Sequence, residues 1–219
     1  MKVALVTGSS SGIGKEICET LRKNGYKVYG ISRKEGDIIC DLRNSKALHV
    51  KIKEFLKTTD IDLLVNCAGI GAFAPHEELS LEQIETLIDV NLKAPIVLTS
   101  LCLRSLKKTK GHIINISSIE ATRHSKFSAL YTATKSGLRD FSLALFEELR
   151  KAEVKVTNIN PDMTKTAFFD ELNFEPSSKT NTHLLPKDIA KTLLNVRTST
   201  MVFTDITIRS QKFEVVRKK

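Results

Sequence analysis

Short apolar runs alternate with amphipathic stretches along almost the whole chain. Several of the runs have apolar residues at consecutive positions, which is typical of strands buried on both faces of a parallel sheet. Because helical patterns lie between the runs, the sequence predicts one doubly wound α/β domain with helices on both faces of its sheet. The predicted strands, seven in all, are 3–6, 27–31, 38–40, 61–65, 112–116, 154–159 and 201–208.

The helical stretches repeat apolar residues at helical spacing. In the first, Ile13, Ile17 and Leu21 form one face, and Asn24 followed by Gly25 predicts a left-handed end to the helix. The pattern therefore places a complete amphipathic helix directly after the first strand.

Three further helical stretches are predicted. One begins at Ser80, whose hydroxyl can cap the helix while Gln83 reaches back in a capping box. The stretches 92–106 and 131–151 carry apolar residues that can pack on the sheet. Their remaining faces are candidates for contact with a second subunit.

Two connections differ from the rest. The interval 32–37 is too short for a crossover helix, so we expect a plain loop there. In 165–185, phenylalanines stand among Asn, Ser, Thr and Pro without a stable period, which indicates a mobile lid. No repeat or change in composition suggests a second domain, so we expect 1–219 to form a single domain that includes this lid.

The composition suits one folded globular domain. The chain has 219 residues, of which 41% are hydrophobic, enough for one full core. Its formal net charge of +9 admits a polyanionic partner. However, the basic residues are spread along the chain and accompany no recognised reader motif, so we expect no nucleic-acid partner.

The four cysteines show no C-x-x-C spacing and lie in apolar stretches, so we expect reduced thiols and neither a disulfide frame nor a metal site. Met1 is followed almost at once by a predicted strand, and no apolar run approaches membrane-spanning length. These features predict a soluble cytoplasmic protein with no membrane segment.

A glycine-rich turn lies between the first strand and the first helix. Gly8 allows a sharp turn, Gly12 permits close approach of a pyrophosphate, and Gly14 allows tight packing of the helix. The unpaired N–H groups of the first helical turn favour an anion at the same place. This context predicts a dinucleotide-binding turn.

A second candidate site is the pair Tyr131 and Lys135, which are four residues apart on a predicted helix and so share a face. A nearby ammonium stabilises a phenolate, so we expect the tyrosine pKa to be lowered into a range useful for acid–base catalysis. A lone Tyr-x-x-x-Lys can also arise by accident. Its joint occurrence with the glycine-rich turn favours a reaction that moves a hydride and a proton.

The spacing G-x-x-x-G-x-G and five further motifs in the same order resemble the short-chain dehydrogenase/reductase family over nearly the whole chain, which implies a Rossmann-type fold and an NAD(P)-dependent oxidoreductase. The motifs are Thr7 to Gly14, Asp41-Leu42, Asn66-Cys67-Ala68-Gly69, Asn91 within Asp-Val-Asn-Leu, Ser118 with Tyr131 and Lys135, and Asn160-Pro161.

The resemblance implies roles for individual residues. Tyr131 would exchange the proton, Ser118 would bind the substrate oxygen, Lys135 would also hold the nicotinamide ribose, and Asn91 would anchor a water that relays protons. The cofactor contacts it implies are Gly8, Ser10, Ser11, Gly12, Ile13, Gly14, Arg33, Asp41, Leu42, Asn66, Ala68, Gly69, Tyr131, Lys135, Pro161 and Thr166.

The end of the second strand bears on the choice of nicotinamide cofactor. An acidic residue there suits the ribose hydroxyls of NAD, whereas this chain has Ser32-Arg33-Lys34. We therefore expect NADP(H) to be preferred over NAD(H), with Arg33 as the partner of the 2′-phosphate. Ser11 stands where many NADP-using relatives have a second basic residue. By resemblance, Asp41 would face the adenine.

The sequence departs from the family at two positions. Asp162 stands where a glycine usually follows Pro161, and Cys67 replaces a common second asparagine. The C-terminal end also lacks the glycine-rich sequence that many relatives use in subunit contacts. A homodimer or homotetramer is still implied by the resemblance.

The leading hypothesis is an NADP-dependent oxidoreductase that transfers a hydride between nicotinamide and a small-molecule carbonyl compound or secondary alcohol. One alternative is a 3-oxoacyl-carrier-protein reductase, because a basic surface could attract an acidic carrier. A second is a non-catalytic NADP-sensing or scaffold protein, against which the intact Tyr131 and Lys135 argue.

Overall fold

The computed structural model describes residues 1–218. The strands are β1 (Val3–Thr7), β2 (Lys27–Ser32), β3 (Ile38–Ile39), β4 (Leu63–Asn66), β5 (His112–Ile116), β6 (Lys155–Pro161), β7 (Phe174–Pro176), β8 (Asp205–Ile208) and β9 (Val215–Arg217). The α-helices are α1 (Gly12–Lys23), α2 (Ser45–Thr58), α3 (Leu81–Ile88), α4 (Ala94–Thr109), α5 (Ala129–Leu149) and α6 (Pro186–Thr198).

Seven strands form one sheet in the order β3-β2-β1-β4-β5-β6-β8, and every neighbouring pair is parallel. The chain order reverses between β1 and β4, so loops from both halves of the sheet meet at its carboxyl edge beside β1. In open parallel sheets this reversal point is where ligands bind. The prediction of a doubly wound parallel sheet is confirmed.

The strands form where the chain can be buried on both sides. In β4 every residue is buried, and alternate residues enter two separate cores. Leu64 packs in the core under α2, α4 and α5, whereas Leu63 and Val65 pack in the core under α1 and α6. Burial on both faces is why the sequence shows continuous apolar runs in place of alternation.

Two predicted strands begin too early. Ile61 lies before β4 because its N–H donates to the hydroxyl of Ser105 at 2.8 Å and not to a neighbouring strand. Residues 201–204 precede β8, and Met201, Val202 and Phe203 are partly exposed. The short loop between β2 and β3 and the capping box of Ser80 with Gln83 are confirmed.

The segment 165–185, which we call the lid segment, contains a strand that the sequence pattern did not predict. Within it, β7 pairs in antiparallel fashion with β9 from the C-terminal end of the described chain. The base of the lid segment is closed by hydrogen bonds between 163–165 and Leu184, at 2.8 and 2.9 Å. Its mobility remains a prediction.

One helical stretch, Leu81–Thr109, is long and apolar enough to span a membrane by length and composition, with a mean hydropathy of 1.4. This differs from the expectation that no apolar run approaches such a length. Leu98, Cys102 and Leu106 of this stretch are fully buried against the sheet. These residues belong to the core of the domain, and 39% of the apolar window is buried.

The edge strand β8 is fixed by the carboxylate of Asp205. This group accepts hydrogen bonds from Asn158 and Asn160 of β6, at 2.8 and 2.7 Å, and from Arg139 of α5 at 2.8 Å. Burial raises the pKa of Asp205, but these hydrogen bonds outweigh it, so the pKa lies below its ordinary value of 3.8. The carboxylate thus joins β6, β8 and α5.

We expect Asp205→Ala to lower the free energy of unfolding by about 1–3 kcal/mol at neutral pH, because it removes the charged acceptor that two buried amides and Arg139 share. The matched control is Asp140→Ala, since Asp140 is largely exposed and lies 3.5 Å from the same arginine; it should change stability by less than about 0.5 kcal/mol.

Acid should remove this difference. A carboxyl group with a depressed folded-state pKa stabilises the protein above its unfolded pKa and loses that contribution as the pH falls through the folded value. Urea unfolding at a series of pH values measures both effects. A gap between wild type and Asp205→Ala that stays constant into strong acid would contradict the assignment.

Candidate active site

The glycine-rich turn has the geometry that its sequence predicts. Gly8 has a positive φ of 72°, and its N–H donates to the carbonyl of Ile31 at 2.9 Å. A Cβ atom at Gly14 would stand 2.2 Å from the carbonyl oxygen of Gly8. Only a glycine at 14 therefore allows α1 to start this close to β1.

The end of β4 is held against this turn by Thr7, a contact that the sequence analysis did not single out. The hydroxyl of Thr7 accepts the N–H groups of Cys67 and Ala68, at 2.9 and 3.0 Å. A Cβ atom at Gly8 would lie 3.0 Å from the Cα of Ala68. The predicted residues Gly8 and Ala68 are thus neighbours.

Thr166, from the loop after β6, lies over the same turn. A Cβ atom at Gly12 would meet the Thr166 side chain at 3.3 Å. The hydroxyl of Thr166 accepts the N–H of Phe168 at 3.3 Å, which starts a short helical turn of the lid segment. Gly12 and Thr166, two predicted cofactor contacts that are far apart in the sequence, are therefore neighbours.

The start of α1 suits a phosphate group. Ser11 occupies the N-cap position without a side-chain hydrogen bond, and the first turn contains no acidic residue. Uncapped N–H groups at the positive end of a helix attract anions. Ser10 and Ser11 are exposed beside this turn and Ile13 is partly buried, so the turn fits the pyrophosphate of a nicotinamide dinucleotide.

Asn91 is fully buried in a π-helical turn, Asp89–Lys93, between α3 and α4. Its amide accepts the N–H and donates to the carbonyl of Ile70, each at 2.9 Å, and donates to Thr134 of α5 at 3.2 Å. The side chain therefore fixes the loop after β4 to α5. A role in proton relay remains a prediction.

The structure brings Lys135 to the same place. A Cβ atom at Gly69 would lie 3.2 Å from the Lys135 Nζ and 3.5 Å from the Asn91 Oδ1. Lys135 is buried, and its Nζ donates to the carbonyl of Ile116 at 3.1 Å. Burial lowers the pKa of Lys135 to about 8. An anionic ligand near it would favour the charged form.

Tyr131 and Lys135 share one face of α5, with the Lys135 Nζ 5.9 Å from the centre of the tyrosine ring. The expected lowering of the tyrosine pKa is wrong for the protein alone. Burial raises the pKa of Tyr131 to about 12; the Ser118 hydroxyl acts in the lowering direction, and the charge of Glu120 raises it further. Loss of water around the phenolate outweighs the effect of the ammonium at this distance.

The buried position of Tyr131 results from aromatic rings supplied by distant segments. The ring of Phe73, from the loop after β4, lies 5.0 Å from the Tyr131 ring, and that of Phe168 in the lid segment lies 6.1 Å away. Only 7% of Tyr131 is exposed. The sequence analysis did not single out Phe73, because nothing local relates it to α5.

Ser118 lies at the end of β5 and is buried. Its hydroxyl oxygen accepts the N–H of Glu120 at 3.2 Å, which starts a short helical turn. The carboxylate of Glu120 is buried and accepts hydrogen bonds from Arg123 and Ser125, each at 2.9 Å, and from Ser128 at 3.2 Å. Glu120 thus fixes the chain between Ser118 and the start of α5.

Asp162 is buried where a glycine was expected. Its carboxylate lies 3.2 Å from Arg209 and 3.9 Å from Arg123. Because two arginines face it, the carboxylate does not place an unpaired negative charge beside the site. The preceding Pro161 is buried at the end of β6.

The residues expected at the adenosine end lie at the ends of β2, β3 and β4. Arg33 is exposed just after β2, whereas Leu42 and Asn66 are buried. Asp41 is not free: hydrogen bonds from Arg43, at distances down to 2.7 Å, hold the pKa of its carboxyl below the ordinary range. An adenine that bound to Asp41 would have to share this carboxylate with Arg43.

The four cysteines make no disulfide within residues 1–218. Burial raises the pKa of Cys18 to about 11 and that of Cys67 and Cys102 to about 12. Their thiols are therefore protonated and weakly nucleophilic near neutral pH.

A dinucleotide turn at the reversal point of a parallel sheet, facing a buried tyrosine and lysine, defines the class of nicotinamide-dependent oxidoreductases. The family model described as short chain dehydrogenase matches residues 2–176. The chain belongs to the short chain dehydrogenase family, and it is an oxidoreductase that acts on alcohol or carbonyl groups.

Relatives agree with this assignment. An uncharacterized oxidoreductase of Staphylococcus saprophyticus is 35% identical over 210 residues, which cover 87% of this chain and 88% of that protein. Another, from Staphylococcus aureus, is 31% identical over 227 residues and covers 95% and 96% of the two chains.

Solved structures share the fold. A metagenomic short-chain oxidoreductase in complex with NADP is 30% identical, with a TM-score of 0.80 and coverage of 96% and 97%. An alcohol dehydrogenase from the archaeon Thermococcus sibiricus, complexed with 5-hydroxy-NADP, is 25% identical, with a TM-score of 0.85 and coverage of 96% and 97%. Such neighbours support a nicotinamide cofactor for this chain.

We expect Glu120→Ala to lower the free energy of unfolding by about 1–3 kcal/mol, because it removes the buried acceptor of three side chains. Urea unfolding measures this. Glu147→Ala is the control: Glu147 also pairs with an arginine, at 3.0 Å, but on an exposed face, so the loss should stay below about 0.5 kcal/mol. Equal losses in the two variants would contradict the role given to Glu120.

Proposed function

We propose that the protein is an NADP(H)-dependent carbonyl reductase or alcohol dehydrogenase in which Tyr131 exchanges the proton with the substrate oxygen. The observation that carries the proposal is the convergence of Ser118, Tyr131 and Lys135 at the carboxyl edge of the sheet, next to the turn of Gly8 and Gly12. In this proposal the groups act as one site although they come from three parts of the chain: the turn after β1, the end of β5 and α5.

The proposed mechanism divides the chemistry between cofactor and protein. The reduced nicotinamide supplies a hydride when it is bound. Tyr131 donates its proton to the carbonyl oxygen, and the Ser118 hydroxyl donates a hydrogen bond to the same oxygen as negative charge develops. The raised pKa keeps the Tyr131 phenol protonated before reduction, and the charge of Lys135 beside a bound cofactor would have to lower it for efficient proton transfer.

Lys135 has two tasks in this proposal. Its Nζ, already next to Gly69 and Asn91, would bind the nicotinamide ribose, and its positive charge would stabilise the Tyr131 phenolate during turnover. Burial lowers the pKa of Lys135 in the protein alone. A bound anionic cofactor would act in the opposite direction and favour the charged ammonium.

The preference for NADP(H) rests on Arg33. Its guanidinium is exposed at the end of β2, where a 2′-phosphate would need a fork of donors. Asp37, a carboxylate of the same loop, instead accepts the N–H of Gly30 at 2.8 Å. Ser10 and Ser11 would add neutral hydrogen-bond donors.

Reduction of carrier-bound acyl groups receives less support than reduction of a free carbonyl compound. Lys179 of the lid segment pairs with Glu214 at 2.9 Å, and the Lys218 ammonium donates to main-chain carbonyls of the same segment. These cations hold the lid segment to the C-terminal strand and are engaged within the chain.

We further propose a cytoplasmic homodimer or homotetramer. The support is the part of α4 and α3 that the single chain leaves uncovered, where Ile88 and Ile96 are more than one-third exposed. Size-exclusion chromatography with light scattering measures this state directly.

Tyr131→Phe should lower kcat by at least about 10²-fold, because it removes the proton that the substrate oxygen needs. The Kd for NADPH should stay within about threefold of the wild-type value. The control is Tyr29→Phe, since Tyr29 packs on Phe55 in the other half of the sheet. Steady-state kinetics with ketones and fluorescence titration of NADPH test both statements; unchanged turnover would remove Tyr131 from the mechanism.

Arg33→Ser should weaken NADPH binding by roughly 10- to 100-fold, which corresponds to the loss of a charge-assisted hydrogen bond of about 1.5–3 kcal/mol. The affinity for NADH should change by less than about threefold. Lys34→Ser, one position further along the same loop, is the matched control. If NADPH and NADH lose affinity equally, or if Lys34→Ser has the larger effect, the assignment of Arg33 is wrong.

A further inference from the structure

Four phenylalanines surround the buried Tyr131, and together we call them the aromatic box. Phe73 and Phe168 lie against the Tyr131 ring, Phe174 lies 5.1 Å from Phe73, and Phe169 lies 5.2 Å from Phe168 and 5.8 Å from Phe174. The rings come from the loop after β4 and from the lid segment. The walls around the phenol are therefore apolar and flat.

The main chain is shaped to admit these rings. At Gly71 a Cβ atom would lie 2.5 Å from the Phe168 Cζ and 2.8 Å from the Phe73 Cε2. Any other residue at 71 would displace at least one of these two rings. The aromatic box therefore requires a glycine at position 71.

A second strand holds the lid segment in place. β7 pairs with β9 in the register Phe174 to Arg217, and the N–H of Lys218 donates to the carbonyl of Asn173 at 2.9 Å. The Lys218 ammonium also donates to the carbonyl of Phe169. Phe174 within the ribbon and Phe169 just before it are therefore held by hydrogen bonds to their main chain or its neighbours as well as by ring contacts.

The charged groups that adjoin the site are paired among themselves. Glu120 binds Arg123, and Asp162 lies between Arg123 and Arg209. Lys135 donates to a main-chain carbonyl. The two carboxylates and two guanidinium groups balance one another and offer no unpaired charge to a substrate, while the ammonium of Lys135 is assigned to the cofactor.

We propose that the substrate is an uncharged ketone, or the matching secondary alcohol, that carries an aryl group on or next to the reacting carbon, and that the aromatic box binds this aryl group. This inference rests on the proposed function. Apolar burial and offset or edge-to-face contacts with the rings supply the binding energy. The carbonyl oxygen remains the single polar group of the substrate and is bound by Tyr131 and Ser118.

The reaction balances without any further reagent. In reduction the carbonyl carbon accepts a hydride, with its two electrons, from the reduced nicotinamide, and a C–H bond forms. The π bond of the carbonyl becomes the electron pair that takes the proton of Tyr131, which is then replaced from solvent. The ketone is reduced to an alcohol and the nicotinamide is oxidised.

The experiment compares acetophenone with 1,3-dihydroxyacetone as ketones and measures acetophenone binding to the NADPH complex of Tyr131→Phe by calorimetry. We expect kcat/KM to favour acetophenone by about 100-fold, in line with burial of one phenyl group. A preference for dihydroxyacetone overturns the inference and keeps the oxidoreductase. Binding of acetophenone without turnover by wild type keeps the box and overturns the proposed function; absence of binding overturns the inference.

Two variants distinguish a substrate-binding role of the aromatic box from a purely structural role. Phe168→Leu should lower kcat/KM for acetophenone by about three- to tenfold, and Gly71→Ala should lower it at least as much by displacing the rings. In both variants the ratio of kcat/KM for acetophenone to kcat/KM for dihydroxyacetone should fall by the same factor. The control is Phe203→Leu, a partly exposed phenylalanine before β8. Equal loss on both ketones would show that Phe168 acts only on the fold and would overturn the inference.

Discussion

The site depends on how α5 is fixed to the sheet, and buried hydrogen bonds accomplish this. Asn115 of β5 accepts from Asn66 of β4 and donates to Ser142 of α5, each at 2.7 Å, and the Ser117 hydroxyl donates to the carbonyl of Lys135 at 2.8 Å. All of these groups are nearly or fully buried. A buried polar group without a partner costs about 1–3 kcal/mol, so a slip of α5 along the sheet would leave several unpaired at once. Apolar packing alone permits such a slip; the amides and hydroxyls prevent it and so define where Tyr131 stands relative to the glycine-rich turn.

The fold was predictable where one physical cause dominated. Strands buried on both faces produce continuous apolar runs, and four of the seven predicted strands match closely for that reason; β3 also matches, although Ile39 is exposed. The start of β4 was wrong because Ile61 takes its partner from a helix side chain, which no periodicity reveals. The β7–β9 ribbon was missed because its strands are three residues long, largely exposed and about 40 positions apart. Pairing over such a distance is decided by tertiary contacts and leaves almost no local signal.

The sequence predicted where the residues of the site lie, but not how the protein shifts their pKa values. The order of the motifs located Ser118, Tyr131 and Lys135 at one edge of the sheet. The direction of the Tyr131 pKa shift was wrong, because it depends on Phe73 and Phe168, whose proximity no local pattern records. The hydrogen bonds from Arg43 to Asp41 could have been predicted from the sequence, because an acidic and a basic residue stand two positions apart on either side of a buried leucine. The partners of Glu120 lie within eight residues of it, but their spacing follows no helical or strand period.

The ribbon of β7 and β9 has a practical consequence for work with this protein. Two short strands on their own are marginally stable in water, so the ribbon exists only while the rings beneath it stay packed. Access of any substrate to a tyrosine that is 7% exposed requires those rings to separate. Any separation of these rings would therefore also disturb the pairing of β7 with β9. A peptide tag attached after β9 would lie beside this ribbon, whereas a tag attached before β1 would lie at the amino edge of the sheet, away from the site.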